Sequence, residues 1–92
     1  MTTTVAHRKK CKGSVPIDRS TIFGNPFVIG RDGDRSGVLE KFEEYFIDRL
    51  ASDTGYRSAV LGLRGKVLGC WCHPEPCHGD IIAEYLNAPV AT

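Results

Sequence analysis

The sequence predicts a small single-domain α/β protein in which a short, parallel sheet packs with about three helices. Two segments are β-prone, Thr3–Ala6 near the start and the run 66–72 near the end. Between them lies a long segment with apolar residues at helical spacing, and a second such segment follows the later strand. Parallel neighbours need a long crossover, which the intervening helices would supply. The alternation of strands and helices therefore indicates an α/β layer.

The helices are predicted from apolar residues that recur at steps of three and four. The first helix is expected from Arg35 to Ala51, with Asp34 as its N-cap. A short second helix is expected from Tyr56 to Leu63, and a third after Asp80. The apolar face of the first helix comprises Val38, Phe42, Tyr45, Phe46 and Leu50.

Length and composition limit the class of protein. The 92 residues predict one domain over residues 1–87 and a frayed tail over 88–92. The 12 basic and 11 acidic residues nearly cancel, so bulk charge indicates no partner. There is no apolar run of the ~20 residues that a membrane span needs, and the first residues do not resemble a signal peptide. We therefore expect a cytoplasmic protein without membrane contact, whose thin stability margin a metal ion or a homodimer interface would supplement.

One stretch concentrates the reactive side chains. Residues 70–80 contain three of the four cysteines and two of the three histidines. The stretch follows the second predicted strand and precedes the third predicted helix. Ligands of open α/β folds sit outside the carboxyl ends of strands, so the stretch is the predicted site.

A structural zinc site is the first interpretation of this stretch. Zinc takes four ligands from cysteine and histidine, and Cys70, Cys72, Cys77 and His78 would supply four, with Cys11 or His73 as substitutes. The spacing differs from the usual zinc patterns, in which paired cysteines are separated by two to four residues.

A catalytic or anion-binding site is the second interpretation. Cys77 precedes a predicted helix, whose dipole and unpaired amides would stabilise a thiolate or bind a phosphate. His78 would then act as a general acid or base, and Asp80 would orient it or cap the helix. A third interpretation is that the cysteines are packed core thiols.

The basic residues near the start offer a separate surface. Arg8, Lys9, Lys10 and Lys12 cluster before the first acidic residue, Asp18. A solvated edge is the plain interpretation, and contact with nucleic acid or a host protein is the alternative.

Several motifs together resemble a known family. These are Gly24–Phe27, the run Val28–Gly33, the run Leu63–Cys72 with Pro74, and Pro76–Asp80. In these segments the chain, over about residues 5–87, is similar to domain-of-unknown-function family 4326 of bacteriophages and bacteria. The family usually has a Tyr-Ile-Gly-Arg run where this chain has Pro16–Arg19, so the basic position is kept and the glycine is lost.

The resemblance implies no activity, but it implies that these loops form one signature and that the setting is a virus or its bacterial host. We expect the cysteine–histidine stretch to line one wall of a site. Arg19, Asn25 and Arg31, together with Cys72, would bind a ligand there. Arginines and a histidine beside a helix start suit a phosphorylated or nucleotide-like small molecule. The alternative is a non-enzymatic, zinc-stabilised module that binds a host protein or nucleic acid.

Overall fold

A computed structural model describes residues 2–7, 14–18, 20–70 and 77–88 of the chain. This part contains three strands, β1 (Thr4–His7), β2 (Val15–Pro16) and β3 (Val67–Cys70), and three helices, α1 (Arg35–Ser52), α2 (Thr54–Leu61) and α3 (His78–Asn87). The predicted small α/β fold is confirmed. The sequence predicts a strand over residues 66–72 and a tail over residues 88–92. Residues 71–72 of that strand and residues 89–92 of that tail lie outside the described residues.

The three strands form one parallel sheet with β3 in the centre. The order is β1-β3-β2, and His7 at the end of β1 pairs with Cys70 at the end of β3. On the other side Pro16 pairs with Gly69. Proline has no backbone N–H to donate, so it fits a two-residue strand at the edge of the sheet. The strands therefore end side by side at one edge of the sheet.

Helix α1 covers the core as its apolar spacing predicts. It begins where the Asp34 carboxylate accepts a hydrogen bond from the Gly37 amide at 2.8 Å, which satisfies one of the unpaired N–H groups of the first turn. Of the predicted face, Tyr45 is only partly buried. The other four residues, Val38, Phe42, Phe46 and Leu50, are buried.

Helix α2 begins two residues before the predicted start because Asp53 serves both helices. Its backbone closes the last turn of α1, and its carboxylate accepts from the Tyr56 amide at 3.0 Å to open α2. The helix ends at Leu61, before Gly62, although the sequence predicted continuation to Leu63. Both helices therefore pack on one core with almost no linker between them.

The core lies between the sheet and the helices. Phe42, Val60, Leu68 and Ile82 are 0% exposed, so α1, α2, β3 and α3 each contribute a fully buried side chain. Of the described helices, none has both the length and the apolar character that crossing a bilayer requires.

Candidate functional site: a buried cysteine–histidine cluster

The site forms where the parallel strands end. Cys70 is the last residue of β3, and Cys77 and His78 are the N-cap and first residue of α3. Ile17 follows β2 directly, and its amide donates to the Gly69 carbonyl at 3.2 Å, which continues the pairing beyond the strand. One sheet edge thus brings residues distant in sequence to the start of α3.

Three donor side chains meet at this edge. The Cys70 and Cys77 sulfurs and a ring nitrogen of His78 all lie within 4.8 Å of one another. The cysteines are each 3% exposed and the histidine is 9% exposed. Cys70 and Cys77 are thiols and are not bridged to each other. Three of the four predicted zinc ligands therefore converge in a buried group.

A backbone carbonyl sets the tautomer of His78. Its Nε2 lies 2.7 Å from the Ile17 oxygen. A carbonyl can only accept, so Nε2 carries the hydrogen and donates it. In the neutral ring Nδ1 then has the lone pair available to a metal ion. Metal-binding histidines usually donate their second ring N–H to a carbonyl or carboxylate in this way.

Asp80 closes the start of α3. Its carboxylate accepts from the Cys77 amide at 3.0 Å, one half of a capping box. The acidic group also lies in the first helical turn, where it offsets the helix dipole. Two roles were predicted for Asp80. The hydrogen bond from the Cys77 amide supports the capping role, and orientation of His78 stays a prediction.

The surroundings of Cys77 oppose the stabilised thiolate that the sequence predicts. The neighbouring Cys70 thiol and burial together raise the pKa of the Cys77 thiol far above its ordinary value. The amide of Gly79 acts in the opposite direction, as expected at a helix start, but its effect is smaller. The sequence showed the helix start but not the burial or the second thiol. A catalytic role for Cys77 remains a prediction.

The raised pKa predicts slow thiol chemistry without metal. Cys77 should react with iodoacetamide much more slowly than a thiol in the unfolded chain, measured by mass spectrometry of metal-free protein. Above pH ~8.5 the unfolded chain loses this proton and the folded one keeps it. The free energy of unfolding of the metal-free protein should therefore fall as pH rises past 8.5. Rapid alkylation of Cys77 in folded protein, or greater stability at pH 10 than at pH 8, would contradict the assignment.

Gly79 allows α3 to sit close to the sheet. A Cβ atom at this position would lie 2.7 Å from the Ile17 Cδ1 atom, and 3.3 Å from both the Cys77 sulfur and Val5 Cγ1. Ile17 is itself 0% exposed, so it has little room to move away. The absence of a side chain therefore keeps the cysteine–histidine cluster compact.

We expect Gly79→Ala to destabilise the protein by about 1–3 kcal/mol through overpacking, although alanine favours helix. Gly55→Ala in α2 is the matched control. The nearest atom there is 3.5 Å away, an ordinary contact, and the change should be neutral or stabilising. Urea unfolding of both variants measures the difference. Equal free energies of unfolding for the two variants would show that the close approach is unimportant.

Two of the residues predicted to bind a ligand, Asn25 and Arg31, make contacts within the protein. The Asn25 side chain accepts from the Phe27 amide at 2.9 Å and donates to the Val38 carbonyl at 3.4 Å. It thereby holds its loop to α1. The exposed Arg31 side chain pairs with Asp32 at 3.0 Å. The amide of Val28 and the Arg31 guanidinium lower the pKa of the Asp32 carboxyl. The Asp32 carboxylate is therefore the anion that Arg31 contacts in this loop.

The other sequence-predicted residues lie outside the described part of the chain. These are Arg19 and Cys72 of the predicted site, with Cys11 and His73 as the substitute zinc ligands.

Sequence reasoning missed two contributors to the site, the Ile17 carbonyl and the Phe42 ring. The centroid of the Phe42 ring is 5.2 Å from that of His78 in an edge contact. Nothing in a side-chain pattern marks a backbone carbonyl. The helical spacing placed Phe42 in the core but did not show its neighbour.

Fold and site together define a small α/β domain with a buried cysteine–histidine cluster at the carboxyl edge of a parallel sheet. The chain belongs to the family described as Domain of unknown function (DUF4326), whose model matches residues 3–88. It is also 42% identical over 84 residues to the "Uncharacterized 12.4 kDa protein in nrdA-td intergenic region" of Enterobacteria phage T4. That match covers 90% of this chain and 76% of the phage protein. No solved structure is significantly similar to the chain.

Proposed function

We propose that the protein is a small metal-stabilised module and that Cys70, Cys77 and His78 hold a zinc ion. The observation that carries this proposal is the approach of their three donor atoms to within 4.8 Å of one another in a buried place. Two thiolates and one imidazole are ligands that zinc favours. A tetrahedral ion would take a fourth ligand, for which the sequence suggests Cys72, or Cys11 or His73 in its place.

The surroundings of the cluster support a metal over unpaired core thiols. The Ile17 carbonyl holds the His78 ring in the tautomer in which Nδ1 carries the lone pair. The neighbouring Cys70 thiol and burial raise the pKa of the Cys77 thiol, whereas a bound cation would favour the thiolate form of its ligands. A small domain also gains most from such a link, since its core alone stabilises it little.

The metal would fix the end of β3 to the start of α3, and through His78 it would fix the residue that follows β2. The module's partner is then a host protein or nucleic acid, contacted through the basic residues Arg8–Lys12. For nucleic acid, the expected sign is affinity that falls as salt is raised.

Metal analysis of protein purified without a histidine tag tests the proposal. We expect about one zinc per chain for the natural sequence and much less for Cys77→Ser and for His78→Ala. The control is His7→Ala, which changes a histidine at the same sheet edge that is outside the described three-donor group. Folded protein with no metal, even after reconstitution with zinc, would overturn the proposal.

A phosphorylated or nucleotide-like ligand is the second candidate. It is favoured by the three parallel strands that end beside the N-terminus of α3, since such edges commonly bind phosphates. The contacts of Asn25 and Arg31 within the protein weaken this candidate. Calorimetric titration with a panel of nucleotides and with inorganic phosphate tests it, and no heat from any of them would exclude it.

A further inference from the structure

The two sulfurs of the cluster are close enough for a second chemistry. Both lie within the 4.8 Å group, and their thiols are in hydrogen-bond contact. A disulfide needs a sulfur–sulfur distance of ~2.05 Å, so the two atoms must approach by at most ~2.8 Å. Rotation of two cysteine side chains can provide such an approach. The bond would link the end of β3 to the N-cap of α3, two positions that the sheet and Gly79 already hold close together.

We infer that Cys70 and Cys77 form a redox pair whose oxidation to a disulfide expels the metal from its site. This inference rests on the proposed zinc centre. It adds that the site responds to a two-electron oxidant of the peroxide class. A metal ion and a disulfide cannot both use the same two sulfurs, so the two states exclude each other.

The chemistry balances with hydrogen peroxide as the oxidant. One metal-bound thiolate attacks a peroxide oxygen and becomes a sulfenic acid, and the displaced hydroxide takes up a proton to leave as water. The second thiolate then attacks that sulfur, forms the S–S bond and releases the sulfenic oxygen as a second water after protonation. In total two thiolates, one peroxide and two protons give one disulfide and two waters, and the zinc ion leaves with its charge. Two electrons pass from sulfur to oxygen.

Zinc would hold both sulfurs as thiolates, which are the nucleophilic form that peroxide oxidises.

The test uses the full chain in two forms. In the natural sequence, zinc release under peroxide is followed with a coloured zinc indicator. The variant C11S/C72S has Cys70 and Cys77 as its only cysteines, and it reports on the pair alone. We expect its intact mass to fall by about 2 Da under peroxide, with both thiols lost, and to be restored by a reductant. We expect zinc release from the natural protein at the same time, and its reversal by reductant.

The outcomes separate the two claims. Zinc bound to the reduced natural protein, but no loss of 2 Da in the variant, would overturn the redox pair and leave the zinc centre standing. Irreversible gain of oxygen on one sulfur in the variant would also overturn the pair. A disulfide in the variant, with no zinc bound by the reduced natural protein, would overturn the zinc centre and with it the expulsion of the metal.

Discussion

Removal of the proposed zinc ion is expected to be among the most destabilising changes that can be made to this protein. A ligand present at about a thousand times its dissociation constant stabilises the folded state by about 4 kcal/mol. Structural zinc often binds with a dissociation constant low enough to exceed this ratio. Small domains have only about 5–15 kcal/mol in total, and short chains lie at the low end. A chelator should therefore unfold much of the protein, or lower its melting temperature by well over 10 °C.

Two variants make this expectation specific to the cluster. In Cys77→Ser the metal site is already broken, so the chelator should have no further effect on its melting temperature. In Glu84→Ala, an exposed change on α3, the chelator should act as on the natural protein. Circular dichroism during heating, with and without the chelator, measures all three. An unchanged melting temperature for the natural protein after complete metal removal would contradict a structural metal.

Phe42→Ala is expected to cost about 3–5 kcal/mol of the free energy of unfolding, because the ring is fully buried. It should also weaken zinc binding. The Phe42 ring packs edge-on against His78, and its loss would leave space in which the imidazole can move. Disturbance of the groups around a metal ligand commonly costs about tenfold in affinity.

Phe46→Ala is the matched control for that second effect. Phe46 is 1% exposed and stacks on Phe42 with centroids 5.6 Å apart. Among the described residues, its other ring contacts are with Tyr56 and Tyr85. It should lose similar stability and keep the natural zinc affinity. Competition titration with a zinc indicator, under conditions where both variants are folded, measures the two affinities. Equal affinities would show that Phe42 does not support His78.

The fold was largely predictable because local chemistry specifies most of it. Asp34 and Asp53 are good N-caps, and the apolar spacing of α1 produces one buried face. Proline favours an edge strand or a loop, and Pro16 lies in the edge strand β2. Several element boundaries differ from the predicted ones by a few residues. The start of α2 differs because Asp53 closes one helix and opens the next, which a search for one cap per helix does not anticipate.

The site was predictable in its location and less so in its electrostatics. Cysteines and a histidine around a strand end and a helix start indicated where donors meet. The raised pKa of Cys77 depends on burial and on a thiol seven residues away, and neither can be read from the helix start. Likewise Asn25 and Arg31 looked available for a ligand, but their contacts are with their own loop and with α1. Whether a polar side chain is available to a ligand depends on its neighbours in the folded protein, which the sequence alone does not show.

X-ray absorption at the zinc edge of the purified, reduced protein tests the central claim most directly, because it reports the atoms bound to the metal. The account predicts at least two sulfur neighbours at ~2.3 Å and at least one imidazole nitrogen at ~2.0–2.1 Å, with one sulfur lost in the zinc-reconstituted Cys70→Ser variant. A shell of oxygen and nitrogen without sulfur, or a shell that Cys70→Ser and Cys77→Ser leave unchanged, would contradict it.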